Sequence, residues 1–303
     1  MAHVLALLAS GRTKGFTATL LRAAVEGAES VEGVEVEWVH LNRYTFKPCA
    51  SCFSCIRSEV HECTQKDAMG GEGELMAKLK SANGWILADP VHCWGPSAQS
   101  HLFIERCYPF LWSGDLEGMP FASISCASNQ GMQQLANENL CKWAFTSGFR
   151  YVGGLPVHTT YFKRALPLAE ALGCDLATAA CADARGREKY PDQQRYTDYL
   201  GKPWSALEPY LANLSNGTME YGPSLIAEGL ETFARPEAID LLKEARGLFE
   251  KALAHYGEDR AEAACTELVR ASALWTHATW KEFLEEDVIK TSAPETYRPL
   301  AEG

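Results

Sequence analysis

Along the first half of the chain, short apolar runs alternate with segments whose apolar positions recur every three or four residues. Residues 3–9 are almost continuously apolar, as expected of a strand covered on both faces. Residues 10–15 make a turn, and residues 17–28 read as a helix with Leu20, Leu21, Ala24 and Val25 on one face. Residues 34–41 alternate and give a second strand. A helix candidate over 69–82, weakened by Gly70, Gly71 and Gly73, leads into a third strand at 84–89. After Pro90 the spacing predicts a helix over 97–110, a fourth strand at 121–127, a helix over 132–145 and a fifth strand at 151–158. Strands separated by helices specify parallel pairing, and five of them predict a doubly wound α/β sheet.

Strand signals stop near Lys163. Residues 166–184 read as a helix that closes the α/β unit. Residues 186–222 are polar and turn-rich, with Pro191, Pro203, Pro209 and Pro223 acting as breakers. Two amphipathic helices are expected next: 236–256, with Ile239, Leu242, Ala245, Phe249 and Ala252 on one stripe, and 259–286. The expected division is therefore an α/β domain over 1–185 and an all-helical extension over 186–303. The sequons at Asn213 and Asn216 read as part of a polar turn.

Composition narrows the function classes. The 303 residues, 47% hydrophobic and 22% charged, suit a globular chain of about two folding units. With 28 Lys and Arg against 39 Asp and Glu, the net charge is −11. No basic stripe interrupts that acidity, which argues against nucleic acid and anionic lipid as main partners. No apolar run approaches the ~20 residues that span a bilayer, and residues 4–9 are too short for a signal peptide. A cytoplasmic location without membrane contact is the expectation.

Four of the eleven cysteines fall between positions 49 and 63, in the pattern Cys49-x2-Cys52-x2-Cys55-x7-Cys63. Three thiols spaced by three in a loop, with a fourth after a short excursion, can take the corners of an iron–sulfur cubane. Structural zinc more often joins two separated pairs in a tetrahedron; buried small side chains or a redox disulfide are the bland alternatives. Lys47, Arg57 and Lys66 would offset thiolate charge, and His61 reads as a solvated loop histidine. Three further segments fall after predicted strands, on the ligand edge of a doubly wound sheet. The turn Ser10-Gly-Arg12-Thr-Lys-Gly15-Phe16-Thr17 before a helix is a phosphate cradle suited to a mononucleotide. Pro90-Val91-His92-Cys93-Trp94-Gly95 offers walls for a flat ring, and Ser128-Asn129-Gln130-Gly131 offers donors to it.

These residues carry a resemblance. Residues 9–17 resemble the phosphate loop GSPRxxGNT of flavodoxin-like FMN reductases, and residues 90–106 align without a gap to the flavin loop PVYWxxxSAQxKxFxDR of that group. With the compact cysteine motif, the first 165 residues look like the iron–sulfur flavoprotein family. Phe16 stands where that family has Asn, His92 where it has Tyr, Cys93 where it has an aromatic and His101 where it has Lys. Trp94 restores ring area one position later, and Pro90, Ser97, Ala98, Gln99, Phe103 and Arg106 match. The resemblance implies a flavodoxin-like sheet of order 2-1-3-4-5. It also implies FMN held by Ser10, Arg12, Gly15, Phe16 and Thr17, by residues 90–95 and by residues 128–131, and a 4Fe-4S cluster on Cys49, Cys52, Cys55 and Cys63. The activity implied is electron transfer between a carrier, ferredoxin or NAD(P)H, and an acceptor, in at least a homodimer with paired sites. A cluster-free NAD(P)H-dependent FMN or quinone reductase is the alternative within the class, and a redox sensor or scaffold the alternative outside it. Cys93, Cys107, Cys126 and Cys141 read as ordinary buried or loop cysteines, Trp275 and Trp280 as core or interface anchors.

Overall fold

The computed structural model describes residues 1–216 and 224–283. In chain order, β1 (Ala2–Leu8) is followed by α1 (Phe16–Glu29), β2 (Val34–His40), the single turn α2 (Ser54–Arg57), α3 (Glu74–Ser81) and β3 (Gly84–Pro90). Then come α4 (Ala98–Arg106), α5 (Phe110–Ser113), β4 (Pro120–Ala127), α6 (Gln133–Thr146), β5 (Arg150–His158) and α7 (Phe162–Arg185). The five strands form one sheet of order β2-β1-β3-β4-β5, and every neighbouring pair is parallel.

The two faces of the sheet differ in the size of what they bury. Val4, Ala6, Leu8, Ile86, Ala88, Ala122 and Ile124 pack with Ala18, Leu21 and Ala24 of α1 and Ala165, Ala169, Leu176 and Ala180 of α7. The residues between them point the other way. There Trp85 and Phe121 meet Phe103 of α4, Phe110 of α5, Trp143 of α6 and Phe149 in a network of edge and tilted ring contacts. On the small-residue face α1 and α7 touch through backbone. A Cβ added to Gly27 would lie 1.9 Å from the Glu170 carbonyl oxygen, and one added to Gly173 would lie 1.8 Å from that of Ala24.

Several helix boundaries differ from the sequence expectation, each for a local reason. The helix expected over 69–82 begins only at Glu74, because Gly70 and Gly73 lie tight against the carbonyls of Gln65 and Ala68 in a preceding turn. The helix expected over 97–110 divides into α4 and α5 around Pro109, whose ring disfavours helical geometry at Tyr108. α7 starts at Phe162 and carries Pro167 inside it. By length and composition the segment Thr159–Arg185 is also apolar enough to cross a membrane, against the expectation that no run is. Here its alanine, glycine and leucine face covers the sheet and α1.

The described residues form two compact units: Met1–Cys55, Val60–Tyr190 and Lys202–Trp204 in one; Ile56–Glu59, Pro191–Gly201 and the described residues from Ser205 onward in the other. The second is helical. The stretch expected to be a turn-rich connection contains α8 (Asp192–Tyr199) and α9 (Leu207–Asn216). Asn213 is therefore helical, while Gly217 and Thr218 of the second sequon lie outside the described residues. α8 escaped the hydrophobic pattern because its buried face is made of Tyr196 and Tyr199. α10 (Leu225–Thr232), α11 (Pro236–Gly257) and α12 (Ala261–Phe283) follow; residues 284–286 of the predicted last helix lie outside the described residues. α11 buries Ala238, Leu242, Ala245, Phe249 and Ala252, so Ala238 replaces Ile239 on the expected stripe. Trp275 of α12 packs with Phe233 at 6.1 Å. Glu282 at the end of α12 accepts hydrogen bonds from the N–H groups of Ala234 and Arg235, just before α11.

The backbone contact between α1 and α7 gives opposite expectations for two glycines. Gly173→Ala forces the helices apart and should destabilise the α/β unit by about 1–3 kcal/mol. Gly247→Ala, in α11 with nothing within 4 Å of its added Cβ, should stabilise by roughly 0.5–1 kcal/mol. Urea unfolding midpoints of the two variants check both signs.

Candidate functional site

At the carboxyl end of β1 the chain turns sharply. The Ser10 hydroxyl accepts the Arg12 N–H at 3.1 Å, and buried His40 shares a 2.6 Å hydrogen bond with the Ser10 carbonyl. Gly15 precedes α1 with no side-chain cap, and no acidic residue occupies the first turn. The leading N–H groups of α1 therefore lack internal acceptors, and the positive end of its dipole is uncompensated. This is the electrostatics of an anion site. A cavity of about 690 Å³ opens there, walled by Ser10, Gly11, Arg12, Lys14, Gly15, Phe16, Thr17 and Thr19, by Pro90, Val91 and His92, and by Cys126, Ala127 and Ser128. Thr159 and Phe162, after β5, complete it. Phe16, in the place of a polar residue, stacks edge-on against Phe162 at 4.8 Å.

The second wall is fixed by a carboxylate at the end of β3. Asp89 is fully buried, and its Oδ1 accepts the Ser97 N–H at 3.0 Å, the Ser97 hydroxyl at 2.7 Å and the Ser100 hydroxyl. Asp89 thereby ties both ends of the loop from Pro90 to Ser97. Within that loop His92 and Gly95 exchange two backbone hydrogen bonds of 2.9 and 3.0 Å, leaving Cys93 and Trp94 at a tip where both have positive φ, 49° and 68°. The Trp94 indole N–H donates to Gln130 Oε1 at 3.2 Å, joining this tip to the loop after β4. That second loop turns through Asn129 at φ 61° and Gly131 at φ 85°. Of the expected flavin residues, Ser10, Arg12, Gly15, Phe16, Thr17, Pro90, Val91, His92 and Ser128 thus share one cavity, whereas Cys93, Trp94, Gly95, Asn129, Gln130 and Gly131 do not line it. Gly11, Lys14, Thr19, Cys126, Ala127, Thr159 and Phe162 are additions, Cys126 among them although it was expected to be an ordinary cysteine; Thr159 and Phe162 were findable, since β5 must end on the same edge as β1, β3 and β4.

All four motif cysteines border a second cavity, of about 470 Å³, together with Ile104, Tyr108, Pro109, Leu111 and Trp143. Their loop turns through Ser51 and Phe53, at φ 48° and 55°. Every cysteine is a free thiol. Among the described residues no three His, Cys, Asp or Glu side chains converge closely enough to hold one metal ion, so the thiols ring the cavity without meeting at a point. Burial, reinforced by the neighbouring Cys63 and Cys49, pushes the Cys55 thiol up to about 11. The hydroxyl and amide of Ser54 hold exposed Cys52 below the usual thiol range. The Nδ1 of His61 shares a 2.9 Å hydrogen bond with the Cys55 carbonyl. Cys107, Cys126 and Cys141 are buried, and Cys93 is exposed.

Beneath the cysteine loop lies an ion pair that the motif reading did not assign. Arg106, with 1% of its side chain exposed, pairs with Asp67 through contacts of 2.7 and 2.9 Å. Burial works against the Asp67 carboxylate, but hydrogen bonds from Arg106 and from the N–H groups of Lys47 and Met69 outweigh it and hold the group below the usual carboxylate range. In the sequence Arg106 stands out only as a position that matches the flavin-loop pattern. Its partner, 39 residues away, was not legible.

Asp89 is shifted the opposite way: burial raises it, and the hydrogen bonds from Ser100 and Ser97 only partly offset that. A raised carboxyl holds its proton longer in the folded state than in the unfolded chain. Its contribution to stability therefore falls as pH rises through the interval above the ordinary value of 3.8 and stays low beyond it. Asp89→Asn keeps the Oδ1 acceptor and lacks this loss, so its stability relative to wild type should increase from pH 4 to pH 8. Asp89→Ala strands the Ser97 N–H and both hydroxyls and should lose about 1–3 kcal/mol. Urea titrations at several pH values read both.

The chain is 34% identical over 132 residues to an iron-sulfur flavoprotein of Methanocaldococcus jannaschii, covering 43% of this chain and 65% of that protein. It is 35% identical over 75 residues to an iron-sulfur flavoprotein of Archaeoglobus fulgidus, covering 25% of this chain and 36% of the relative. The matches thus span less than two thirds of either relative. Among solved structures, a flavone reductase aligns with TM-score 0.47 at 15% identity over 64% of this chain and 69% of its own. An archaeal flavodoxin aligns with TM-score 0.40 at 15% identity over 60% and 99%. The family model described as NADPH-dependent FMN reductase matches residues 2–161. The chain belongs to the NADPH-dependent FMN reductase family of flavin-dependent oxidoreductases.

Proposed function

We propose that this protein is an iron–sulfur flavoprotein that binds FMN in the cavity at the carboxyl edge of the sheet and a 4Fe-4S cluster on Cys49, Cys52, Cys55 and Cys63, and passes electrons between ferredoxin or NAD(P)H and an acceptor. The observation that carries this reading is the presence of four free thiols around one cavity in a chain of the FMN reductase family. The curated relatives carry the same name.

The residues present fit both groups. The uncapped start of α1, with Ser10, Arg12 and Thr17, suits a terminal phosphate. A mostly apolar slot between residues 90–92 and 126–128 suits a ring. A cubane distributes its cysteines over separate irons, and all four motif cysteines border one cavity. FMN when bound takes up electrons in pairs or singly, and a cluster takes them singly. The chain itself binds, orients and excludes water; no acid or base of its own is assigned to the chemistry.

The two cavities share no lining residue. α4 runs from the flavin loop to the cysteine cavity, and its nine residues span about 13 Å at the helical rise. The resemblance implies a homodimer in which each flavin faces the cluster of the neighbouring subunit, and that pairing is part of the reading proposed here.

Anaerobically purified protein should contain about four iron and four sulfide per chain and release FMN rather than FAD on denaturation. Cys52→Ala should lose the iron and keep the flavin; Cys93→Ala should keep both. One tight zinc without sulfide would return the reading to a cluster-free FMN or quinone reductase, and iron loss in Cys93→Ala but not in Cys52→Ala would overturn the ligand assignment.

A further inference from the structure

The cysteine motif occupies an excursion between β2 and α3, and excursions of this length do not hold a shape without something that closes them. Both feet of this one end on a single side chain. The guanidinium of Arg106 donates through Nη1 to the Lys47 carbonyl at 2.6 Å and to Asp67 Oδ2 at 2.7 Å. Through Nη2 it donates to Asp67 Oδ1 at 2.9 Å and to the Cys63 sulfur at 3.5 Å. Lys47 stands two positions before the first motif cysteine and Asp67 four after the last, so these contacts bracket the whole motif. Asp67 reinforces the closure by accepting the Lys47 N–H at 3.1 Å, and Gln65 donates across the same base to the Pro48 carbonyl at 3.1 Å. The arginine projects from the last turn of α4, whose other end is fixed by Ser97 and Ser100 to Asp89. It is therefore carried on an element that is itself held at both ends.

We infer that Arg106 is a positioning residue: it clasps the base of the cysteine loop in cluster-free protein and donates a hydrogen bond to Cys63 once that sulfur is a cluster ligand. The inference rests on the cluster reading above. Its chemistry follows from the shape of the group. Only a planar fork with several fixed donors can reach one carbonyl, two carboxylate oxygens and a sulfur together; a lysine ammonium is a point donor and cannot. A positive charge and a hydrogen bond at a ligand sulfur also set a cluster's reduction potential, and groups that orient ligands typically change metal affinity 10–100-fold when removed.

The test uses full-length Arg106→Lys, Arg106→Gln and Asp67→Asn, with Glu62→Gln as control because it removes a charge in the same loop whose partner, Lys80 of α3, lies outside the clasp. In FMN-loaded, cluster-free protein, amides of residues 48–66 should exchange hydrogen faster in the three clasp variants than in wild type and the control. In anaerobically reconstituted protein, iron should pass to a chelator about 10–100-fold faster, and Arg106→Gln, which removes the charge, should shift the cluster potential to more negative values. FMN content equal to wild type certifies the fold. Unchanged exchange and unchanged iron loss in Arg106→Lys and Asp67→Asn, at normal FMN content, would overturn the clasp. Wild-type protein that takes up no cluster would instead overturn the proposed function, while the exchange measurement would still decide whether Arg106 closes the loop.

Discussion

Parallel pairing is the constraint from which the rest of this molecule follows. When all five strands run the same way, each hands the chain on at the same edge, and each crossover must return across a face. The loops after β1, β3, β4 and β5 are thereby gathered without any dedicated contact to gather them, and one cavity takes residues from all four. The same rule buries both faces of the central strands, which is why β1, β3 and β4 carry almost no polar side chains and why the ones they do carry are conspicuous. Asp89 is such a residue. A carboxyl group with no exposed surface is tolerated at that position because it organises the neighbouring loop through three donors.

α4 is the element that relates the two cavities. Its first turn is hydrogen-bonded to the end of β3 and its last turn to the base of the cysteine loop, so one short helix places residues at both cavities. The aromatic side of the sheet reinforces this: Phe103, in the middle of α4, is wedged between Trp85 and Trp143. The packing core and the positioning of both sites are in this sense one structure, with the same helix serving each.

The parts of this arrangement that could be read from the sequence are those with a short period or a fixed spacing. Five strands and the long helices were legible because a doubly covered strand is continuously apolar and a surface helix repeats every three to four residues. The cysteine loop and the Ser10–Thr17 turn were legible because cofactor chemistry fixes distances along the chain. What escaped depended on contacts between distant residues or on side chains that behave unlike their class. Asp67 is unremarkable until Arg106 is brought to it. α8 looked like a polar turn because tyrosines supply its buried face. The helix before β3 is shorter than its sequence pattern suggests because Gly70 and Gly73 are places where the chain passes itself at close range. The loop tips at Trp94 and Gln130 likewise lie outside the cavity wall and carry positive backbone angles at Cys93, Trp94 and Asn129, which non-glycine residues do not advertise.

The meeting of α1 with α7 has a consequence for how this protein can change. Most helix pairs are joined by interdigitating side chains, which can be exchanged and repacked with small shifts of the axes. Here the spacing is set by main-chain atoms at Gly27 and Gly173, which are the same in every amino acid. The helix that begins at the cavity edge therefore has a fixed seat that sequence drift elsewhere in the interface does not displace. Phe16, half exposed at the mouth of that cavity, stands above this seat, so a change of chemistry there leaves the α1–α7 contact untouched.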